Sequence, residues 1–508
     1  MEILESPDTL PLTCLIEELN FPENSTDLMY AQNLLNYLKN NYLTSFCFCL
    51  VSFYKTCGSE FGKCKEYAFD ILCQILTEDK EGPCQETSFL DKEIKSSILD
   101  FLNTESSIKN LNKIRDFVAK IATKEVRLGN DWPELLEFVY ESLDSDSEEK
   151  VKYAVSLLYK LIPHCAVEDL VISLDSFYDS LVDIFDSDYM SLEVQVEAVL
   201  TSNRFLLYWT NRSNHDKYSI LMIQIVETIS TLVEHKSNKD VQAVVKELTV
   251  LTKEKPWTLS GRFDYVVLSV LRILGEVELQ DKTRILALEF VIALAEESVQ
   301  GRQMLLGSQL AIPTFLEKIL LLLANLKDDS EWGTAESDIQ NLPSVRCLAR
   351  IVAALGGEVL MRYFPRLFAI NFCAEDWQSR HAAVLSLGIV AERCSSLKVS
   401  ELFILFHSNV LSLVLIHVAL LDFKISLRFY ILQESKHSWD QMAGRIIRSV
   451  KEDIHPCVRW TALYTIKQFS KNLKPEFQDQ YRDQVLPALT KAMDDFNYPR
   501  VQVLRFLK

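Results

Sequence analysis

The sequence predicts an all-α fold in which helix pairs stack into an α-α superhelix, a HEAT-repeat solenoid. The main observation is a unit that returns about every 40–50 residues, the length typical of this repeat. Each unit has an apolar helix, a short acidic turn and a second apolar helix that opens near a basic residue, most clearly at 132–163, 367–394 and 448–470. A lone helix pair cannot cover its own apolar faces, so the pairs are expected to stack around one continuous core.

The composition supports the same fold class. Of the 508 residues, 48% are hydrophobic, and only 13 are glycine and 14 are proline. Few helix breakers and ample apolar material suit an all-helical chain and suit a β-sandwich or a parallel-sheet enzyme poorly.

Acidic residues mark the predicted turn inside each unit. They are Glu105, Asp144, Asp186, Glu234, Asp281, Asp328, Asp376, Asp453 and Asp494. Seven of the eight gaps between them are about 39–48 residues, which is one helix pair. The gap from Asp376 to Asp453 is 77 residues and predicts an insertion.

The unit that opens at Trp132 shows the helical period in detail. Apolar residues fall on one face of each helix, namely Leu135, Leu136, Val139 and Leu143 in the first and Val151, Val155, Leu158 and Ile162 in the second. The turn at 144–147, made of Asp and Ser, is expected to supply capping side chains for the second helix.

Two segments interrupt the repeats. Residues 327–340 are acidic and polar, and we expect either a solvated loop or an acidic contact loop for a basic partner. Residues 402–421 contain no Asp, Glu, Lys or Arg, and this uncharged stretch is long enough for a membrane span. Because that stretch holds His, Ser and Asn and interrupts a repeat array, we do not favour a span. One ordinary unit subtracted from the gap of 77 residues leaves roughly 30–35 residues, so we favour an insertion over a translated non-coding stretch.

These breaks divide the chain into four parts. They are N-terminal helical repeats at 1–85, HEAT repeats at 86–399 with the acidic loop at 327–340, an apolar insertion at 400–440, and further HEAT repeats at 441–508. The last repeat stops inside a second helix, so we expect a chain truncated at its C-terminus.

The net charge indicates the class of partner, and the cysteines indicate the redox compartment. A net charge of −18 repels nucleic acid and anionic membranes and favours basic partners, although it also suits a plain solvated surface. The twelve cysteines form no CxxC pair, and the spacing of Cys47, Cys49, Cys57 and Cys64 fits no common zinc module. We expect reduced thiols in a cytosolic or nuclear protein, and no signal peptide.

Motifs for chemistry are missing from the sequence. It contains no phosphate-binding GxxxxGK[ST] loop, no HExxH and no GxSxG, so we expect neither an enzyme nor a bound cofactor or metal. Basic residues do not cluster among the aromatic ones, which argues against a nucleic-acid groove. His164, His381 and His455 lie at predicted helix ends and turns, where we expect caps or surface residues.

The repeats also resemble a known family. Residues 279–298 resemble the middle of importin-β superfamily receptors, most closely the importin-5 (karyopherin-β3) branch. In that branch an acidic segment with a tryptophan, a WxxRHAA helix, an HPxVRW unit and an RVQ helix follow in order. The matching residues are 328–332, 377–383, 455–460 and 500–502, and 131–136 and 25–39 resemble earlier repeats.

This resemblance implies a nuclear import receptor. Such receptors bind basic import signals on cargo, the FG repeats of nucleoporins and Ran bound to GTP, and they move between cytoplasm and nucleus through the pore. An acidic inner wall of second helices suits basic signals. The alternative is a HEAT-repeat scaffold that assembles protein complexes without transport.

The sequence offers two sets of candidate contact residues. The acids of the loop are candidate contacts for Ran or basic cargo: Asp328, Asp329, Glu331, Glu336 and Asp338. At the starts of second helices, Trp377, Arg380, Arg459 and Trp460 are candidate inner-helix positions. The alternative for the two arginines is a ladder of hydrogen bonds that joins turns to helices between adjacent repeats.

Overall fold

The computed structural model describes most of the chain. The described residues are 10–21, 24–57, 62–77, 92–105, 107–127, 130, 132–163, 167–187, 189–208, 215–326, 342–393 and 439–502. Every regular element within these ranges is a helix, which confirms the predicted all-α class. The chain divides into two compact units, Met1–Asn211 and Arg212–Lys508.

The first unit is built from helices α1 to α10. They are α1 (Leu10–Asn20), α2 (Ser25–Asn41), α3 (Leu43–Thr56), α4 (Gly62–Thr77), α5 (Lys92–Thr104), α6 (Ile108–Arg127), α7 (Pro133–Leu143), α8 (Glu148–Leu161), α9 (Val167–Asp186) and α10 (Leu192–Tyr208). The helices α3/α4, α5/α6, α7/α8 and α9/α10 pack as pairs. The second members also pack on one another in the order α4, α6, α8, α10, so each pair is covered by the next.

The second unit continues with helices α11 to α24. They are α11 (His215–Glu234), α12 (Asn238–Glu254), α13 (Phe263–Arg272), α14 (Asp281–Glu296), α15 (Val299–Gly307), α16 (Ala311–Ala324), α17 (Pro343–Leu355), α18 (Gly357–Met361), α19 (Phe364–Phe372), α20 (Trp377–Ala391), α21 (439–452), α22 (Pro456–Asn472), α23 (Glu476–Met493) and α24 (Pro499–Gln502). Two short 3-10 helices, Pro256–Arg262 and Ile273–Gly275, flank α13.

Two rows of helices run through the second unit. The first helices α11, α13 and α16 contact one another in that order, and the second helices α12, α14, α17, α20 and α22 do the same. We call the latter set the second-helix row. Contacts between every other helix along the chain are the arrangement of a helical-repeat solenoid.

The acidic turns lie where the sequence predicted them. Each of the described markers ends a first helix, starts a second helix or lies between the two; for example, Asp144 caps the end of α7 and Asp376 caps the start of α20. Asp328 lies outside the described residues. The acidic residues therefore predicted the position of the turn inside each described helix pair correctly.

The unit at Trp132 follows its predicted pattern with two corrections. Its four predicted second-helix core residues are all buried, whereas Leu136 in the first helix is only half-buried. The predicted capping of α8 is wrong, because the side chain of its N-cap residue Ser147 makes no capping hydrogen bond. Instead the Ser147 N–H donates to Oγ of Ser145 at 3.2 Å, so this serine side chain bonds within the turn and not to the helix.

Several predictions fall outside the described residues. These are the acidic loop at 327–340 with all five of its candidate acids, and almost all of the insertion at 400–440 with the apolar stretch 402–421. Among the described helices, none is by itself long and apolar enough to cross a membrane. One bent pair, α15 and α16, which meet at 91°, has the required length and composition.

The cysteines are core thiols at only some of the described positions, since Cys14 and Cys373 are exposed. Cys47 and Cys64 are free and buried, and burial raises the pKa of Cys47 to about 12. Within the described ranges, no group of three or more His, Cys, Asp or Glu side chains is placed to hold a metal ion.

Candidate interaction surface on the second-helix row

Arg380, one of the predicted inner-helix residues, connects two consecutive turns. Its Nη1 donates to the carbonyl oxygens of Ala374 at 3.0 Å and Glu375 at 2.7 Å, in the turn before α20. Its Nε and Nη2 donate to the Asp453 carboxylate at 2.8 and 3.1 Å, in the turn before α22. Four of the five guanidinium N–H groups are therefore used within the fold, two in the turn before α20 and two in the next repeat.

Arg459 repeats this geometry one repeat later. Its Nη1 donates to the carbonyl oxygens of Asp453 and Ile454, both at 2.9 Å, and its Nε and Nη2 donate to Oδ2 of Asp495 at 2.9 and 2.7 Å. We call Arg380, Asp453, Arg459 and Asp495 the arginine ladder. These contacts match the alternative in which the two arginines join turns to helices between adjacent repeats. They leave the two guanidinium groups few N–H donors for a partner.

The two predicted tryptophans lie beside the ladder. Trp377 is half-buried and stacks on the imidazole of His455, with ring centroids 3.7 Å apart. Trp460 is buried, stacks along Tyr464 and has the Arg500 guanidinium 5.3 Å from its ring centroid. Both rings therefore pack at the start of a second helix. Part of the Trp377 side chain remains accessible to solvent.

The histidines at these helix starts have different roles. His455 is the N-cap of α22, and its Nδ1 accepts from the Cys457 N–H at 3.3 Å, as expected for a cap. The same expectation is wrong for His381, which is completely buried between α20 and α22, with Nδ1 3.4 Å from the Cys457 carbonyl oxygen. His164 lies outside the described residues.

We expect His381 to make stability depend on pH. Burial, the largest cause, lowers its pKa to about 4, and the charges of His455 and Arg500 act in the same direction. The unfolded chain takes up this proton near pH 6.5, so the stabilisation is complete above that pH and is lost as the pH falls toward 4. Thermal melts between pH 7 and 4 should show a steeper loss for the native chain than for His381→Leu. An equally steep loss in that variant would contradict the assignment, and exposed His235→Gln should change nothing.

Side chains of α22 pack directly against the backbone of α20. The Thr465 hydroxyl donates to the Val384 carbonyl oxygen at 2.8 Å. A Cβ placed on Gly388 would lie 2.7 Å from that hydroxyl oxygen and 2.9 Å from the Tyr464 ring. Only glycine fits there, and the ladder and this contact together fix the relative position of the two helices.

An acidic cluster lies on the same row at α14 and α17. Arg350 of α17 donates to both carboxylates of α14, at 2.7 and 2.8 Å to Glu289 and at 3.0 and 2.6 Å to Glu296. The carboxylates raise the pKa of Arg350, Glu296 most strongly. One cation between two anions leaves a net charge of −1, and all three side chains remain partly exposed.

The cluster was not predicted from the sequence, although a signal for it existed. Glu289 and Glu296 are seven residues apart, which places them on one face of a helix two turns apart. The surface can therefore offer carboxylates to a basic ligand at α14, while the ladder arginines are occupied within the fold.

Comparisons with known proteins agree with this architecture. A family model described as "IPO5-like, TPR repeats" matches residues 106–268. Importin subunit beta-3 of Saccharomyces cerevisiae is 22% identical over 422 residues, which is 81% of this chain and 34% of the relative. The probable importin-5 homolog of Dictyostelium discoideum is 22% identical over 406 residues, 76% of this chain and 36% of the relative. The chain thus spans about a third of the length of these curated relatives.

Solved structures of similar fold cover nearly the whole chain. The crystal structure of Kap121p superposes with a TM-score of 0.70 at 18% identity, covering 97% of this chain and 44% of that one. Kap121p bound to RanGTP gives a TM-score of 0.67, and Kap121p bound to Nup53p gives 0.68. At this identity the likeness establishes the helical-repeat fold.

Proposed function

We propose that this chain, a member of the importin-β family in its importin-5 branch, acts as a nuclear import receptor or as part of one. In this role it binds basic import signals on cargo, FG repeats of nucleoporins and Ran bound to GTP. It carries out no chemical step, and it works in the cytoplasm and nucleus with transient passage through the pore.

The acidic cluster at α14 and α17 carries this proposal. Its carboxylates are partly exposed on the second-helix row, in a chain with net charge −18, so a basic signal would meet attractive charge there. The relatives add support, because the similar Kap121p has been crystallised with RanGTP, with Nup53p and with the SUMO protease Ulp1p.

We propose different roles for the contact residues predicted from the sequence. The loop acids Asp328, Asp329, Glu331, Glu336 and Asp338 remain proposed contacts for Ran or basic cargo. Trp377 is a proposed partner contact through its accessible part. Arg380, Arg459 and Trp460 are proposed to hold the surface in shape.

Binding measurements on the purified chain test the proposal. We expect a fluorescent lysine-rich signal peptide to bind in a salt-sensitive manner, and Ran to bind only when loaded with GTP. The double variant Glu289→Gln/Glu296→Gln should weaken the peptide about tenfold, since two attractive charges are lost.

The matched control is Glu227→Gln/Glu317→Gln, which removes the same charge from exposed positions on the first helices α11 and α16. If both double variants lost the same affinity for the signal peptide, the basic cargo would bind at another surface. If the chain bound neither Ran with GTP nor FG repeats, the scaffold alternative would replace transport.

A further inference from the structure

One cleft on the second-helix row is lined by basic and neutral residues, although the chain as a whole is acidic. It is open, has a volume of about 560 Å³ and lies where α12 begins beside the turn before α14. Its lining residues are Asn238, Lys239, Gln242, Ala243, Lys246 and Gln280. None of these described lining residues is a carboxylate, although the chain has 71 acidic residues against 53 basic ones.

Hydrogen bonds between α12 and α14 fix the wall of this cleft. Oδ1 of Asn238 accepts from the Gln280 N–H and from the Thr283 hydroxyl, both at 2.8 Å. Nε2 of Gln242 donates to the same hydroxyl oxygen at 2.9 Å, and Thr283 is buried. Because the network spans two repeats, the side-chain amides of Asn238 and Gln242 are positioned before any ligand arrives.

The two lysines of the cleft are exposed and available. Neither forms an ion pair with any residue that the structure describes, whereas Lys236 pairs with Glu278 and Lys253 with Glu297. Lys239 and Lys246 are seven residues apart on one helix, so they lie on the same face about 10.5 Å apart along its axis. The helix therefore presents two exposed cations on one face, about two turns apart.

We propose that this cleft binds an acidic, extended segment of a partner protein. In the polyproline II form of an extended chain, residues i and i+3 are one full turn apart and lie on the same side, about 9 Å from each other, which is close to the spacing of the two lysines. Two Asp or Glu side chains at that separation would each meet one ammonium group. The side-chain amides of Gln242 and Gln280 lie beside them and can bond to the peptide backbone between the two acids.

Protein is a better ligand than nucleic acid for this cleft. Single-stranded nucleic acid is held by stacking on aromatic side chains together with a long basic track, and the described lining has no aromatic residue and only two lysines. Amide side chains suit a peptide backbone. The inference extends the proposed function, because it adds a ligand of opposite charge to the basic cargo assigned to α14 and α17.

Fluorescence anisotropy on the full chain tests the inference. The probe is a labelled, flexible 12-residue peptide of Ser and Gly with two Asp residues three positions apart. Its companion peptide has the two Asp residues adjacent. We expect the first peptide to bind at least about fivefold more tightly, and Lys239→Glu/Lys246→Glu to weaken it at least about tenfold.

The matched control is Lys471→Glu/Lys491→Glu, which makes the same charge change at exposed lysines of the same unit. It should retain binding within about twofold. The milder Lys239→Gln/Lys246→Gln pair, with helicity checked by circular dichroism, should also lose binding, which separates the cleft from misfolding.

Three results would overturn the inference. They are equal binding of the two peptides, equal losses from the cleft and control variants, and displacement of the peptide by a single-stranded oligonucleotide of the same charge that itself binds more tightly.

Discussion

Replacement of Glu125 by alanine is expected to lower the free energy of unfolding of the first unit by about 3–5 kcal/mol. Oε2 of Glu125, on α6, lies 2.6 Å from Nζ of Lys95, on α5. The two side chains are only 3% and 10% exposed. Removal of the carboxylate leaves an ammonium group in the core without its counter-charge, and desolvation makes that costly. Hydrogen exchange of α5 and α6, together with thermal melts, measures the loss.

A surface pair in the same unit provides the comparison. Glu66 lies 3.2 Å from Lys109, but those side chains are 38% and 69% exposed. Glu66→Ala should cost no more than about 0.5 kcal/mol. The double variant Lys95→Met/Glu125→Leu should recover most of the stability, because it removes both charges and keeps the volume. A Glu125→Ala variant as mild as Glu66→Ala would show that the pair is not desolvated.

The second large effect concerns the arginine ladder. Asp453 accepts two hydrogen bonds from Arg380 and a third from the His455 N–H at 3.0 Å, and it is mostly buried. Asp453→Ala leaves the guanidinium without its carboxylate, and we expect a loss of about 2–3 kcal/mol in the stability of the repeats around α20 and α22. Faster hydrogen exchange of those two helices, with α12 and α14 unchanged, is the measurement.

An exposed acid of the same unit serves as the control for Asp453. Asp483 is 96% exposed and lies 3.9 Å from Arg482, so Asp483→Ala should leave exchange rates unchanged. A conservative change at the other end of the bond is also informative. Arg380→Lys keeps the charge but cannot hold the two turns with a planar fork, so it should lose much of the same protection. Full protection in Arg380→Lys would mean that charge alone holds the turns.

The fold was predictable because its signals are local and repeated. Helical periodicity and an acidic turn occur in each unit, and the spacing from Asp144 to Asp186 or from Glu234 to Asp281 reports directly on one helix pair. Packing of one pair on the next then follows from the need to cover apolar faces.

The contacts of the candidate site were less predictable because they join distant residues. Arg380 was a candidate from its place at a helix start, but its partner is 73 residues away, beyond the insertion. His381 lies next to a predicted turn, and burial by the following repeat overrides that local position. Lys239 and Lys246 fit the pattern of a solvated helix face, and the cleft exists only because Gln280 of the next repeat lies beside that face.

The ladder has a mechanical consequence for α20 to α24. Arg380 and Arg459 fasten consecutive turns along one edge of these repeats, and α20 and α22 touch closely at Gly388 and Thr465. Ion-paired guanidinium groups resist stretching, whereas apolar helix surfaces slide over short distances at lower cost. Because the ladder lies near the start of α20 and the contact at Gly388 lies near its end, α20 and α22 should move as one rigid block, and elastic bending should fall on neighbouring repeats that lack both contacts.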